Sequence, residues 1–150
     1  MKGQTAIEYL MTYGWAILII LIVAGVLAYY GIFAPAGFLT PTARGFGTVQ
    51  VLSPWTVSTT GGITLRVENR VGEQINITKI YATKGGSSGS CTLSPEVTID
   101  TGSSGIVSCT ISAASGNAGD TYTITLSIEY ELTSTPGTYF NSTGTITGTY

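Results

Sequence analysis

Residues 4–35 read QTAIEYLMTYGWAILIILIVAGVLAYYGIFAP, and this stretch decides the architecture. No charged side chain occurs between Tyr9 and Ala43, and ahead of that interval only Lys2 and Glu8 are charged. From Trp15 to Leu27 the residues are almost all Ile, Leu, Val and Ala, so a helix here has no polar face to turn toward water. At about 1.5 Å per residue, a helix from Ala6 to Phe33 is roughly 40 Å long, enough to cross the hydrocarbon core of a bilayer. Tyr9, Tyr13 and Trp15 lie toward one end of it and Tyr29, Tyr30 and Phe33 at the other, like the aromatic belts of a spanning segment. Gly14 and Gly25 each cost about 1 kcal/mol in an isolated soluble helix, but in an apolar helix small residues let neighbours approach closely. The expected helix begins near Thr5 and runs to Tyr30 or Phe33, with Gly31 and Pro35 as its stop signal.

Beyond it the composition changes. Residues 34–47, APAGFLTPTARGFG, read as a Pro/Gly/Ala-rich linker. From Thr48 the pattern has period two, with strands expected at Thr48–Leu52, Ile63–Glu68, Ile75–Thr83, Ile106–Ile111, Thr121–Leu132 and Phe140–Tyr150. The clearest is TYTITLSIEYEL, residues 121–132, which puts Tyr122, Ile124, Leu126, Ile128, Tyr130 and Leu132 on one face. Turn clusters separate these runs: Gly61-Gly62, residues 85–90, residues 102–105 and residues 116–120. The fold class is therefore α+β: a long N-terminal apolar α-helix over residues 4–33, then an immunoglobulin-like antiparallel β-sandwich head over residues 48–150.

Charged residues make up 9% of the 150, net charge is −2, and histidine is absent. Nucleic-acid binding needs a basic face to neutralise phosphates, so it is not expected. Without histidine there is no Ser-His pair, and neither cysteine has a plausible base partner, so no enzyme activity is expected. Glu129 and Glu131 fall two apart on the outward face of a strand, where carboxylates are ordinarily solvated, and Asp100 and Asp120 fall in turns. The Gly-rich segments lack the lysine and helix of a phosphate loop, so no cofactor is expected, and with no histidine to complete a two-Cys site no metal is expected. Ser and Thr are about a third of the residues from Gly45 onward, a composition common on extracellular surfaces that carry sugars. Asn76-Ile-Thr78 and Asn141-Ser-Thr143 both fit the N-glycosylation acceptor pattern, which also arises by chance in a Thr-rich chain. Cys91 and Cys109 are either a disulfide, natural in a domain outside the membrane and worth about 3 kcal/mol, or two buried thiols.

The leader MKG, followed by QTAIEYL and the long apolar helix, resembles the class III signal peptide of archaeal type IV pilins. That resemblance covers residues 1 to about 35. It implies that a prepilin peptidase cuts between Gly3 and Gln4, so that residues 1–3 are a leader, Gln4 becomes the N-terminus and Glu8 stands at mature position five. The small residue the family has at position three is Ala6 here, while the leucine often found at position nine is replaced by Thr12. The resemblance further implies a subunit held in the membrane before assembly and then polymerised by pilus machinery into an extracellular homopolymeric filament. Such an adhesive pilus serves contact with cell or abiotic surfaces. For Glu8 two readings stand: contact with the N-terminal amine of an adjacent subunit, or recognition by the peptidase near the cytoplasmic face.

Other roles for the same helix are an archaellum filament subunit, a minor pseudopilin, or a single-pass anchor for a binding module that never polymerises. A conventional secretory signal fits less well. Its apolar centre spans about 7 to 15 residues, and although Ala34-Pro-Ala36 imitates a cleavage site, Pro35 is unfavourable there.

Overall fold

The computed structural model describes residues 4–30 and 40–150. They belong to two units divided between residues 38 and 39, each described by itself. The first contains α1, Gln4–Tyr29, a helix of 26 residues. Leu, Met and Ala favour helix, and the Ile and Val disfavour it only slightly. Thr12 turns its hydroxyl back to the carbonyl of Glu8 at 2.8 Å, so this polar group is satisfied within the helix. Tyr30 still donates its N–H to Val26. The stop expected at Gly31 and Pro35, and an extension to Phe33, lie outside the described residues.

The second unit is the β head, made of β1 (Thr42–Arg44), β2 (Val49–Val57), β3 (Gly62–Asn69), β4 (Ile75–Lys84), β5 (Ser87–Ile99), β6 (Ser104–Thr110), β7 (Thr121–Leu132) and β8 (Tyr139–Thr149). A five-stranded sheet has the order β1-β8-β7-β4-β5 and a three-stranded sheet the order β2-β3-β6. Every pairing is antiparallel. The inward faces meet in one core of Val49, Val51, Trp55, Leu65 and Val67 from one sheet and Ile75, Ile77, Ile80, Ile124, Leu126, Ile128 and Ile146 from the other. The chain is thus α+β, with its antiparallel strands stacked as a sandwich.

In β7 the alternation is regular: Tyr122, Ile124, Leu126, Ile128 and Tyr130 are buried, and only Leu132 at the strand end is half-exposed. Opposite it, β8 turns Ser142, Gly144, Ile146 and Gly148 inward. A Cβ at Gly144 would run into the Phe46 ring and the Arg44 carbonyl, and one at Gly148 into the Tyr122 hydroxyl. Glycine is needed at both for close approach, not for unusual backbone angles.

Two strands depart from expectation. β1 lies within residues 34–47, read as linker, where Thr42 pairs with Thr147 and their hydroxyls are 2.7 Å apart. Three residues are too few to carry a period. β5 lies where a broad turn cluster and no strand were expected. Only Gly85 and Gly86 form the turn, both with positive φ, as a two-residue hairpin between β4 and β5 requires. The following Ser87–Ser90 continue as strand, and β5 is an edge strand that buries only Leu93 and Ile99. Its inward Gly89 sits against the Ile111 side chain and Ala113.

Cys91 on β5 and Cys109 on β6 are bonded, with Cα atoms 6.2 Å apart. β5 and β6 are edges of different sheets, so the disulfide clamps the sandwich along one side.

Candidate functional site

Two surfaces stand out. The first is α1. Ile7, Leu10, Met11, Ile17, Leu18, Ile20, Leu21 and Ile22 are all exposed, and the apolar residues go completely round the helix. Ala6–Tyr29 is long and apolar enough to cross a membrane. The Tyr9 and Tyr13 rings pack at 4.5 Å, as residues four apart on a helix do, and Tyr29 meets Tyr30 edge-on at 5.6 Å. Gly14 and Gly25 leave shallow notches in this surface, with no described atom within 4 Å of where a Cβ would stand. Glu8, the only carboxylate of α1, is exposed in the second turn. Of the two residues flanking the expected cut, Gln4 is the first residue of α1, and Gly3 lies outside the described residues.

The second surface is the outward face of the five-stranded sheet. β7 and β8 face each other there as hydroxyl rows, Thr123 opposite Thr147 and Thr125 opposite Thr145. Toward the other end, the ladder is broken twice. β4 places Thr78 as an extra residue between Ile77 and Lys79 opposite β7. In β5, residues 93–96 loop out between the partners of those same two residues, around the cis bond Ser94–Pro95. Between the two irregularities lies a recess of about 400 Å³ lined by Thr78, Lys79, Thr92, Glu96, Glu129 and Tyr139. β-Bulges commonly re-aim side chains in this way.

The carboxylates are more engaged than simple solvation. Glu129 accepts hydrogen bonds from the Tyr81 hydroxyl at 3.1 Å and the Thr78 hydroxyl at 3.2 Å. Glu131 accepts from the Gly137 N–H at 3.0 Å, bracing the β7–β8 turn. Asp100 accepts from the Gln74 amide and Asp120 from the Asn117 amide, so both turn aspartates bond side chains. Inside the head, the Trp55 indole N–H donates to the Tyr122 hydroxyl at 3.2 Å. Burial raises the Tyr122 pKa; the Trp55 hydrogen bond opposes this, and neighbouring Tyr150 adds a smaller push upward.

The two acceptor asparagines both point outward yet differ. Asn141 is exposed and lies opposite Glu129. Asn76 is half-buried, accepts from the Thr98 hydroxyl at 2.8 Å and reaches Glu131 at 3.5 Å. The recess residues Lys79, Glu96 and Tyr139 had no individual signal in the sequence. Pro95 inside a strand is the one local cue, because proline in a sheet marks an edge or a bulge. Among the described residues no group of three His, Cys, Asp or Glu side chains could hold a metal. No protein-family model matches the chain, and no curated protein matches it.

Proposed function

We propose that this chain is the structural subunit of an archaeal type IV pilus, polymerising through its N-terminal helix into an extracellular adhesive filament. The observation that carries this reading is the mismatch between the two units. The head has a complete core of its own, whereas α1 presents isoleucine, leucine and valine all round, at exposures of about half or more. Burying one such side chain is worth about 1.5–3 kcal/mol, so a surface of this kind needs lipid or other helices around it. The QTAIEYL start supplies the second support, through its resemblance to class III signal peptides.

In the precursor, Lys2 stays on the cytoplasmic side, α1 spans the bilayer and the head lies outside, as the positive-inside tendency favours. Cleavage between Gly3 and Gln4 removes the basic leader. The helix then exchanges lipid for identical helices at little free-energy cost, because both are apolar. Gly14 and Gly25 give those neighbours places of close approach. Repeated head-to-tail contacts that do not close into a ring extend into a helical polymer with the heads outside. The partners are copies of the chain, the prepilin peptidase, the assembly machinery and the cell or abiotic surfaces to which the filament attaches.

A second reading, a single-pass anchor for a head that stays at the membrane, is favoured by the aromatic residues at both ends of α1. Electron microscopy of filaments sheared from cells, with intact-mass analysis of their subunit, separates the two. Filaments built of a chain starting at Gln4 are expected. A chain starting at Met1 and found only in membranes, or one starting at Gly37 after a conventional cut and so released without its helix, would overturn the proposal.

A further inference from the structure

We propose that Asn141, and not Asn76, is the sugar-bearing asparagine of the head, and that the recess beside it seats the first sugars of the attached glycan. This rests on the head lying outside the membrane, as in the function proposed above. Both asparagines satisfy the same three-residue pattern, so the distinction comes from the sheet.

At Asn141 the acceptor group is free. Its Oδ1 receives a long contact from the Ser127 hydroxyl at 3.4 Å, and its Nδ2 donates to no described residue. Thr143, whose hydroxyl completes the pattern, is exposed and donates to Ser127 Oγ at the surface. At Asn76 both parts are occupied. The Oδ1 accepts from the Thr98 hydroxyl at 2.8 Å, and the Nδ2, unlike that of Asn141, has a described carboxylate within reach, Glu131 at 3.5 Å. The Thr78 side chain is the extra residue of the β4 bulge, only 6% exposed, and its hydroxyl is directed at the carbonyl and carboxylate of Glu129. A sugar on Asn76 takes a place on the nitrogen that reaches Glu131, whereas the nitrogen of Asn141 has no contact with a described residue to lose; neither attachment removes a contact to Oδ1.

The recess lies next to Asn141 in the register. Tyr139 is two residues before it on the same face of β8, and Glu129 is its direct partner on β7. Tyr139 is 56% exposed and presents an aromatic ring, the surface on which the C–H face of a pyranose packs. Glu129 and Glu96 accept from sugar hydroxyls, Lys79 donates to them, and Thr92 does either. The recess volume of about 400 Å³ falls within the roughly 300–1,000 Å³ of small-ligand clefts. The required co-reactant is a lipid-linked glycosyl phosphate. Nδ2 of Asn141 forms a bond to the anomeric carbon and loses one proton to a base. The bond between that carbon and the phosphate oxygen breaks, and its electron pair leaves with the lipid phosphate.

The test is glycopeptide mass spectrometry of the full chain isolated from its own cells, with filaments scored in the same sample. A glycan on the Asn141 peptide and an unmodified Asn76 peptide are expected. A bare Asn141, or any substantial occupancy of Asn76, overturns the assignment. Thermal melting of the full chain then tests the seat, comparing wild type with Asn141→Gln, each with and without Tyr139→Ala. The glycan is expected to raise the head's midpoint by about 4 °C or more when Tyr139 is present, and by much less without it. An equal rise in both backgrounds removes the recess from the proposal. Lys79→Ala serves as a second lining variant. Intact filaments bearing bare Asn141 refute this inference alone, whereas glycosylated heads on cells without filaments refute only the polymer reading.

Discussion

The helix and the head treat apolar side chains in opposite ways. In the head, every large aliphatic residue of β3, β4 and β7, apart from Leu132 at its end, is buried under a second sheet, and the outward positions are mostly Thr, Ser, Asn, Lys, Arg and Glu, with Tyr81 among them. In α1, Ile17 to Val23 are as apolar as any core strand, yet all are exposed. Periodicity accounts for the contrast. Alternation with period two gives a sheet one wet and one dry face, whereas a helix apolar on every side has no wet face to offer. One unit is therefore complete as a folded domain, and the other is complete only in an apolar surrounding.

The sharpest way to break that comparison is to put a charge on the helix. Ile20→Lys places an ammonium on a surface where the only carboxylate of α1 is Glu8, three turns away. Filaments are expected to vanish, while precursor still accumulates in membranes, because inserting one lysine costs only about 3 kcal/mol. The control belongs on an outward position of the head that bonds nothing. Glu129 is unsuitable, since its carboxylate accepts from Tyr81 and Thr78. Thr123→Lys, exposed on β7, should leave filament yield near normal. Microscopy of filaments beside subunit abundance in membranes measures both. Normal filaments from Ile20→Lys would mean that the helix is not the polymer core.

A smaller effect, confined to the other region, is expected from the disulfide. Cys91 and Cys109 are 18 residues apart and join edges of different sheets. Replacing both with serine is expected to lower the head's stability by about 3 kcal/mol, the chain-entropy value for a loop near this length. Denaturant unfolding followed by near-UV circular dichroism measures the loss, with filament diameter and helix content unchanged. A loss of helix content on removing the bond would show that the two units are not independent in stability.

How much of this was legible in the sequence depends on how locally each feature is encoded. The unbroken apolar run of α1 and the period-two alternation of β7 are each legible within a dozen residues, and both elements are found where those signals put them. β1 and β5 carry none. β1 is held by pairing with β8 from 105 residues away, and β5 is an edge strand with serines at many positions and a proline at its bulge. The recess was beyond reach for the same reason, since it arises where irregularities in two neighbouring strands coincide. Thr78 shows the consequence at one residue. Read as the third member of an acceptor triplet, it should be exposed with Asn76; it does line the outward recess, but at the bulge its hydroxyl turns to Glu129 and the residue is left only 6% exposed.

The smallest expected effect concerns Tyr122, and it sharpens the contrast by asking how dry the head's interior is. Its ring is buried, and its hydroxyl accepts from Trp55, so ionising it would place a phenolate in the core. Burial raises its pKa above the ordinary value near 10, so the folded head holds this proton to higher pH than the unfolded chain does. Above about pH 10 the unfolded state binds fewer protons than the folded one, and stability falls as pH rises toward the folded-state pKa. Below that window Tyr122 contributes no pH dependence. Tyr122→Phe removes the titration and leaves the Trp55 N–H without its acceptor, so the variant should be somewhat less stable at neutral pH yet lose less on going to alkaline pH. Urea unfolding at pH 7.5 and at pH 10.5, for wild type and variant, gives the comparison. If both lose the same amount between the two pH values, Tyr122 is as well hydrated as an exposed tyrosine, and the side of the core bounded by Trp55 and Tyr150 is open to water.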